Sequence, residues 1–171
     1  MILPFIPQTA AVTVPTACIP IRLILRTWHL SWLPSSRIMC VPSIRNYRSN
    51  DNFLETDVLP MDCDNDHSDD PKDWVYPLDV VMAFPDVSLL VSYSRNNMKV
   101  KNGKAARPKF HVYFPILTMT DGKSYAELKK RIQKFFPHFD ADALGEARFL
   151  YGTDSPDIEV YDEANLFRGV A

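Results

Sequence analysis

The most restrictive feature of this sequence is its first 50 residues, which contain no acidic residue and six of the 14 prolines. Neither a helical nor a strand period persists between these prolines, because each one removes a backbone donor and fixes φ. Globular segments rarely lack every acidic residue over such a length. We therefore interpret residues 1–45 as an irregular leader, non-native or disordered, and expect the fold to lie in residues 46–171.

The leader shows no membrane or secretion signal. Its longest stretch without proline, residues 21–33, spans 13 residues and includes two arginines, whereas a membrane helix needs roughly 20 apolar residues. The chain also begins with apolar rather than basic residues, unlike a secretory signal. Cys18, Cys40 and Cys63 are too widely spaced for a disulfide framework or a zinc site. These features predict a cytoplasmic protein without a membrane partner.

The remainder of the chain predicts an α+β domain. Strands are expected at 53–64, 87–93, 109–116, 147–151 and 158–161, where residues alternate or are rich in β-branched and aromatic types. Helices are expected from Pro77 to Phe84 and from Ser124 to Phe136, the second opened by a capping box of Ser124 and Glu127. A basic loop at 96–108 contains a predicted hairpin turn at Gly103. We expect a mixed sheet with flanking helices.

Two aspartates at the end of a predicted strand form the first candidate site. Asp62 and Asp64 point to the same face, because side chains alternate along a strand. Two neighbouring carboxylates repel each other unless a divalent cation or a proton lies between them. The pair therefore predicts a metal site, with a solvated acidic loop as the alternative.

A row of basic residues precedes and enters a later strand. Arg107, Lys109 and His111 follow one another at even spacing, and the opposite face of that strand is wholly apolar. Two cations beside an imidazole suit phosphate oxygens better than a metal ion. A solvated face is the alternative. An acidic metal-binding pair and a basic phosphate-binding row are together the two halves that nucleotidyl transfer requires.

Two further groups of residues have less specific patterns. Asp140 and Asp142 follow the second predicted helix, and either could complete a two-metal site, although capping or solvation explains them equally well. Arg148 lies on the next predicted strand. The basic loop is a candidate for contacts with single-stranded DNA or, alternatively, a solvated loop. Its candidate DNA-binding residues are Arg95, Lys99, Lys101 and Lys104.

The acidic stretch also partly fits a calcium-binding EF-hand loop. Counted from Asp62, oxygen-bearing side chains occupy positions 1, 3, 5, 7, 9 and 12. However, the sixth position holds His67 instead of glycine, the twelfth holds Asp73 instead of glutamate, and a predicted strand precedes the loop where a helix is required. Calcium binding is therefore disfavoured. A rolling-circle initiator is disfavoured too, because its metal strand needs a second histidine where this chain has Tyr113.

Four segments follow one another along the chain: LPMDCDND, SYSRNN, RPKFHVYFP and FDADALGEARFLYG. Together they resemble the archaeo-eukaryotic-type primase-polymerases of phages, plasmids and integrated mobile elements, and the resemblance covers residues 46–163. It implies an RRM-like sheet as the catalytic core of a DNA primase. Such a protein synthesises or extends primers on single-stranded DNA from NTPs or dNTPs by a two-metal mechanism.

The resemblance also implies a role for each site residue. Asp62, Asp64 and Asp140 would hold two Mg²⁺ or Mn²⁺ ions, with Asp142 as a substitute for Asp140. The triphosphate would be held by His111, Arg107 and Arg148, with Lys109 assisting. Lys109 departs from the family, which has a small hydroxyl residue two positions before the motif histidine.

The implied partners are a single-stranded DNA template, a nucleotide and a replicative helicase module absent from this chain. The chain stops soon after the third motif, so we read the catalytic domain as truncated at its C-terminus. The alternative function is therefore a truncated remnant that binds nucleotide or single-stranded DNA without turnover.

Overall fold

The computed structural model describes residues 38–39, 42–101, 103–148, 150–151, 157–163 and 165–170. Most of the predicted leader, including Cys18 and Cys40, lies outside the described residues. The strands are β1 (Ile38–Met39), β2 (Ser43–Ile44), β3 (Phe53–Cys63), β4 (Leu89–Tyr93), β5 (Phe110–Met119), β6 (Leu150–Tyr151) and β7 (Ile158–Tyr161), and the helices are α1 (Pro77–Ala83) and α2 (Gly122–Phe135). Short 3₁₀ helices span Asn50–Asn52, Pro71–Asp73 and Ala141–Ala143. The predicted α+β class is confirmed.

A five-stranded sheet in the order β2-β3-β5-β4-β7 forms the centre of the described domain. Because α1 connects β3 to β4 while β5 lies between them, the topology is a split β-α-β unit. All described pairings are antiparallel, so the sheet is not mixed. β2 pairs with β3, and β1 pairs with β6, although β1 and β2 fall within the segment expected to be irregular.

The alternation of β5 separates two layers of packing. Phe110, Val112 and Phe114 are fully buried and join the main core, as the predicted apolar face requires. α2 covers this core with Tyr125 and Ile132. On the opposite face, a smaller cluster consists of Val58, Leu90, Tyr113 and Leu150. Since β5 pairs with both β3 and β4, side chains at its N-terminal end are held between two neighbouring strands.

Local hydrogen bonds to side-chain carboxylates cap the N-terminal ends of the two helices. In α1, Pro77 occupies the first turn, and Asp79 Oδ2 accepts the Tyr76 N–H at 2.8 Å. In α2, Asp121 is the cap, and its Oδ2 accepts the Ser124 N–H at 2.9 Å. The predicted capping box of Ser124 and Glu127 is therefore wrong, because the helix begins at Gly122 and Ser124 already lies inside it.

The predicted hairpin turn in the basic loop is confirmed. Gly103 has a φ of 76°, in the region that favours glycine. The backbones of Lys101 and Lys104 exchange hydrogen bonds of 3.3 and 3.0 Å across the turn. The side chain of Asn97 holds the loop next to the residue before β5, because its Oδ1 accepts the Lys109 N–H at 3.0 Å. Within the described part of the chain, no helix has the length and apolar character to cross a membrane.

Candidate active site at the paired ends of the two central strands

Asp62 and His111 face each other across the two central strands of the sheet. Asp62 lies near the end of β3, His111 near the start of β5, and the two residues are register partners. His111 Nε2 is 3.6 Å from Asp62 Oδ1, and the side chains are only 8% and 14% exposed. Oδ1 of Asp62 is buried and accepts no hydrogen bond from the described residues. A buried carboxylate oxygen without a donor is costly and is a common property of functional sites.

Burial and neighbouring charge make Asp62 a weak acid that holds its proton unusually well. Burial, then the charges of Asp64 and Asp140, raise its pKa to about 7. Burial lowers the pKa of His111 to about 4, although Asp64 opposes this shift. Desolvation therefore outweighs the attraction of Asp64 in setting the pKa of His111. Near neutral pH, His111 is uncharged and can donate one hydrogen bond, while Asp62 is poised between its two protonation states.

A hydrogen bond between the two backbones holds Asp140 next to Asp62. The Asp140 N–H donates to the carbonyl oxygen of Asp62 at 2.8 Å, and the Asp140 charge contributes to the raised pKa of Asp62. Oδ1 of Asp140 also accepts the Asp142 N–H at 2.8 Å and caps the short helix Ala141–Ala143. Lys129, which is buried on α2, donates from Nζ to the Ala143 carbonyl at 2.6 Å. Asp140 is therefore fixed beside the strand end by two separate elements.

Asp142 and Arg148 lie together at a pocket whose lining does not include the acidic pair. They line a pocket of about 290 Å³ with Arg48, Asn50 and Ala147. Arg148 nevertheless lowers the pKa of Asp62, against the larger effect of burial, so its charge acts on the site from a distance. The structure thus places Asp140, rather than Asp142, next to the acidic pair.

A second pocket, of about 140 Å³, lies beside the acidic strand end. Its charged lining is formed by Lys99, Lys101, Lys104, Lys109, Arg107, Asp64 and Asp66. The five cations outnumber the two carboxylates, so the pocket attracts anions. Three residues expected to contact DNA and two expected to contact phosphate therefore line one cavity. Arg95 is exposed and is not among the lining residues.

Lys109 connects the acidic pair to this pocket. Its Nζ is 3.3 Å from Asp64 Oδ2 and 3.4 Å from Asp66 Oδ1, and its side chain is 12% exposed. At this position the resembled family has a small hydroxyl residue, which carries no charge. A lysine here neutralises part of the charge of Asp64.

Arg107, which was expected to bind phosphate, is instead buried against the acidic loop. Its guanidinium is 1% exposed, and Nη1 donates to the carbonyls of Asn65 and Ser68 at 2.9 and 3.2 Å. Nη2 donates to Asp69 Oδ1 at 2.6 Å, and the group lies 5.6 Å from the centre of the Trp74 ring. Because these bonds occupy its donors, Arg107 holds the acidic loop instead of presenting itself to a phosphate. We correct its assignment from phosphate binding to loop support.

Sequence reasoning missed Asn65, which anchors the same loop. Its side chain donates to the carbonyls of Val75 and Pro108 at 2.9 and 2.8 Å and accepts the Val75 N–H at 2.7 Å. Asn65 has a φ of 53°, a left-handed conformation that asparagine adopts more readily than most residues. An asparagine directly after a strand was the available signal. The acidic loop is therefore built from bonds within the protein, and a strand precedes it, as the argument against an EF-hand requires.

Comparisons with known proteins add little. No protein-family model and no curated protein matches the chain. Among solved structures, it is similar to the AEP domain of the primase-polymerase of cyanophage S-2L, with a TM-score of 0.45 and 15% identity, over 70% of this chain and 60% of that one. The chain thus spans less than two thirds of that domain.

The acidic pair fits a divalent cation. Asp62 offers a buried oxygen without a hydrogen-bond donor, and burial, followed by repulsion from Asp64 and Asp140, raises its pKa. Among the described residues, no group of three or more His, Cys, Asp or Glu side chains is arranged to hold a metal ion. Mg²⁺, however, is commonly bound by one or two carboxylates together with substrate phosphates and water. A two-carboxylate site suits that mode of binding.

Cys63, between the two aspartates, is expected to be unreactive. It is fully buried, and burial raises the pKa of its thiol to about 12. At pH 8 only about one thiol in ten thousand would be ionised. In a variant with Cys18→Ser and Cys40→Ser, we expect no alkylation by iodoacetamide in the native state and rapid alkylation in urea, followed by mass spectrometry. Native labelling at the rate seen in urea would contradict the buried position.

Proposed function

We propose that this chain is a metal-dependent nucleotidyltransferase of the primase-polymerase type. It would start or extend primers on single-stranded DNA, from NTPs or dNTPs, in the replication of a phage or mobile element in the cytoplasm. The observation that carries the proposal is the buried Oδ1 of Asp62, which accepts no hydrogen bond from the described residues, lies 3.6 Å from His111 Nε2 and belongs to the residue whose backbone binds that of Asp140. Three separate sequence segments thus meet at one strand end.

The residues of the site divide the work by their charge. Asp62 and Asp64 would hold Mg²⁺ or Mn²⁺, with Asp140 nearby to add negative charge. When bound, such an ion lowers the pKa of a primer 3′-hydroxyl and neutralises charge on the phosphates. His111, uncharged at neutral pH because of its low pKa, would donate a hydrogen bond to a phosphate oxygen. Lys109 would contribute positive charge from the adjoining pocket.

Binding to nucleic acid is a weaker part of the proposal. Residues 51–171 contain 14 basic and 21 acidic residues, a net charge of −7, so we expect low affinity for DNA without help. Arg95, which is exposed and lies outside the basic pocket, is the residue best suited to a template strand. A replicative helicase module is the partner that would bring the template.

A second candidate function is nucleotide binding without turnover. Two observations favour it: Lys109 lies 3.3 Å from Asp64 and competes with a cation there, and the described residues contain no cluster of three metal-ligating side chains. This candidate shares the pocket but predicts no product.

Incorporation of labelled nucleotide on single-stranded DNA with Mn²⁺ separates the two candidates. We expect product from the intact chain and from Asp70→Asn, a matched control in the same loop whose cap on the Lys72 N–H an asparagine preserves. Asp62→Ala/Asp64→Ala should lose about a thousandfold in rate. Equal product from the double variant would contradict the site. Nucleotide binding without product from the folded intact chain would establish the second candidate.

A further inference from the structure

The carboxylate of Asp66 occupies the position of an anionic ligand in the basic pocket. Its Oδ1 is 3.3 Å from Lys104 Nζ, 3.4 Å from Lys109 Nζ and 3.6 Å from Arg107 Nη1. The ammonium groups of Lys104 and Lys109 surround this carboxylate oxygen as they would surround a phosphate oxygen, with the loop-bound Arg107 behind them. Two carboxylates line the pocket, and among the described ion pairs only that of Asp66 contacts Lys104 of the hairpin.

Asp66 can leave this position without movement of its backbone. The loop is anchored on one side by the Asn65 side chain and on the other by the bond from Arg107 to the Ser68 carbonyl. The side chain of Asp66 between these anchors is 50% exposed. Ion pairs with such exposure are weak, so rotation of the side chain into solvent costs little.

We propose that Asp66 is an internal competitor for the pocket, and that the triphosphate tail of a nucleotide binds there by displacing its carboxylate from Lys104 and Lys109. This inference rests on the proposed function and deepens it, since it assigns the hairpin lysines and Lys109 to one polyphosphate site. The pocket adjoins Asp64, so a polyphosphate held in it lies next to the acidic pair. Asp66 would thus set the nucleotide affinity from outside the catalytic pair.

The first test measures binding of inorganic tripolyphosphate in EDTA by titration calorimetry, so that neither a metal ion nor turnover contributes. Removing one competing charge should tighten binding to Asp66→Asn by about threefold, whereas Asp70→Asn should match the intact chain. Lys104→Gln should weaken binding. Sulfate at equal ionic strength should compete poorly, because a single anion contacts fewer of the lysines.

Each outcome decides the inference. If Asp66→Asn binds no tighter than the intact chain while Lys104→Gln binds less tightly, the pocket holds polyphosphate but Asp66 does not compete for it, and the inference fails while the proposed function stands. If no variant binds tripolyphosphate, the polyphosphate site itself is wrong, and incorporation dependent on Asp62 and Asp64 would still test the proposed function separately. Competition by an oligothymidylate but not by a nucleoside triphosphate would assign the pocket to the strand and overturn the inference.

Discussion

Asp62→Asn is expected to make the protein more stable and catalytically inactive. Asparagine has the shape of aspartate, so the variant keeps the pairing of β3 with β5. It carries no charge, and the loss of a cation ligand should reduce nucleotide incorporation by about a thousandfold. The increase in stability at pH 8 should be on the order of 2 kcal/mol, because the ionised carboxylate is buried beside other acids.

The stability difference between Asp62→Asn and the intact chain should depend on pH, and the raised pKa of Asp62 sets the direction of that dependence. Folding raises the pKa of Asp62 from 3.8 to about 7, so the folded state holds the proton more tightly than the unfolded state. The contribution of Asp62 to stability is therefore complete below about pH 4 and is lost as the pH rises through 7. His111, whose pKa falls to about 4, acts in the opposite direction between pH 4 and 6.5 but is present in both proteins. The advantage of Asp62→Asn should thus increase from pH 5 to pH 8.

Urea denaturation at several pH values, with and without Mn²⁺, would measure these effects. Mn²⁺ should stabilise the intact chain but not Asp62→Asn, and the matched exposed change Asp70→Asn should shift stability by less than about 0.5 kcal/mol. An Asp62→Asn variant that is less stable than the intact chain at pH 8 would contradict the buried, unbonded carboxylate. A variant that retains full incorporation would contradict its catalytic role.

The sequence predicted the fold where local patterns decide it. The apolar alternation of Phe110, Val112 and Phe114 identified β5, and the glycine at 103 identified the hairpin, because both depend on residues within a few positions. The start of α2 was placed two residues late, since Asp121 and Ser124 both suit a cap and only the structure shows which one acts. The short strands β1 and β2 have no recognisable period, and their pairing with β6 and β3 depends on tertiary contacts.

The candidate site divides in the same way. The even spacing of Asp62 and Asp64 predicts that they lie close together, and the charge of Asp64 does act on Asp62, although β3 ends before Asp64. The register that sets Asp62 opposite His111 comes from the sheet. Arg107 and Lys109 share a period and a charge and both line the pocket, yet Arg107 is bonded to the acidic loop whereas Lys109 is paired with Asp64 and Asp66. Burial of a charged side chain depends on the partners that surround it, and spacing does not reveal those partners.

Of the substitutions proposed for this protein, Arg107→Ala is expected to cause the largest fall in the free energy of unfolding. The substitution removes the donors for the Asn65 and Ser68 carbonyls, leaves Asp69 without its cation and opens a space beside Trp74. Together these should cost about 3 kcal/mol. Since the loop between Cys63 and Pro71 carries Asp64 and Asp66, incorporation should fall together with stability.

A comparison with two other variants distinguishes loop support from phosphate binding. Arg131→Ala, an exposed arginine on α2, should change stability by less than about 0.5 kcal/mol in the same urea titration. Arg107→Lys keeps the charge but cannot reproduce the forked contacts, so it should remain destabilised by about 1–2 kcal/mol. A phosphate-binding arginine would behave differently, because its removal would weaken tripolyphosphate binding while leaving the unfolding midpoint unchanged. Loss of binding with unchanged stability would therefore return Arg107 to the phosphate site, and loss of stability would establish it as the support of the acidic loop.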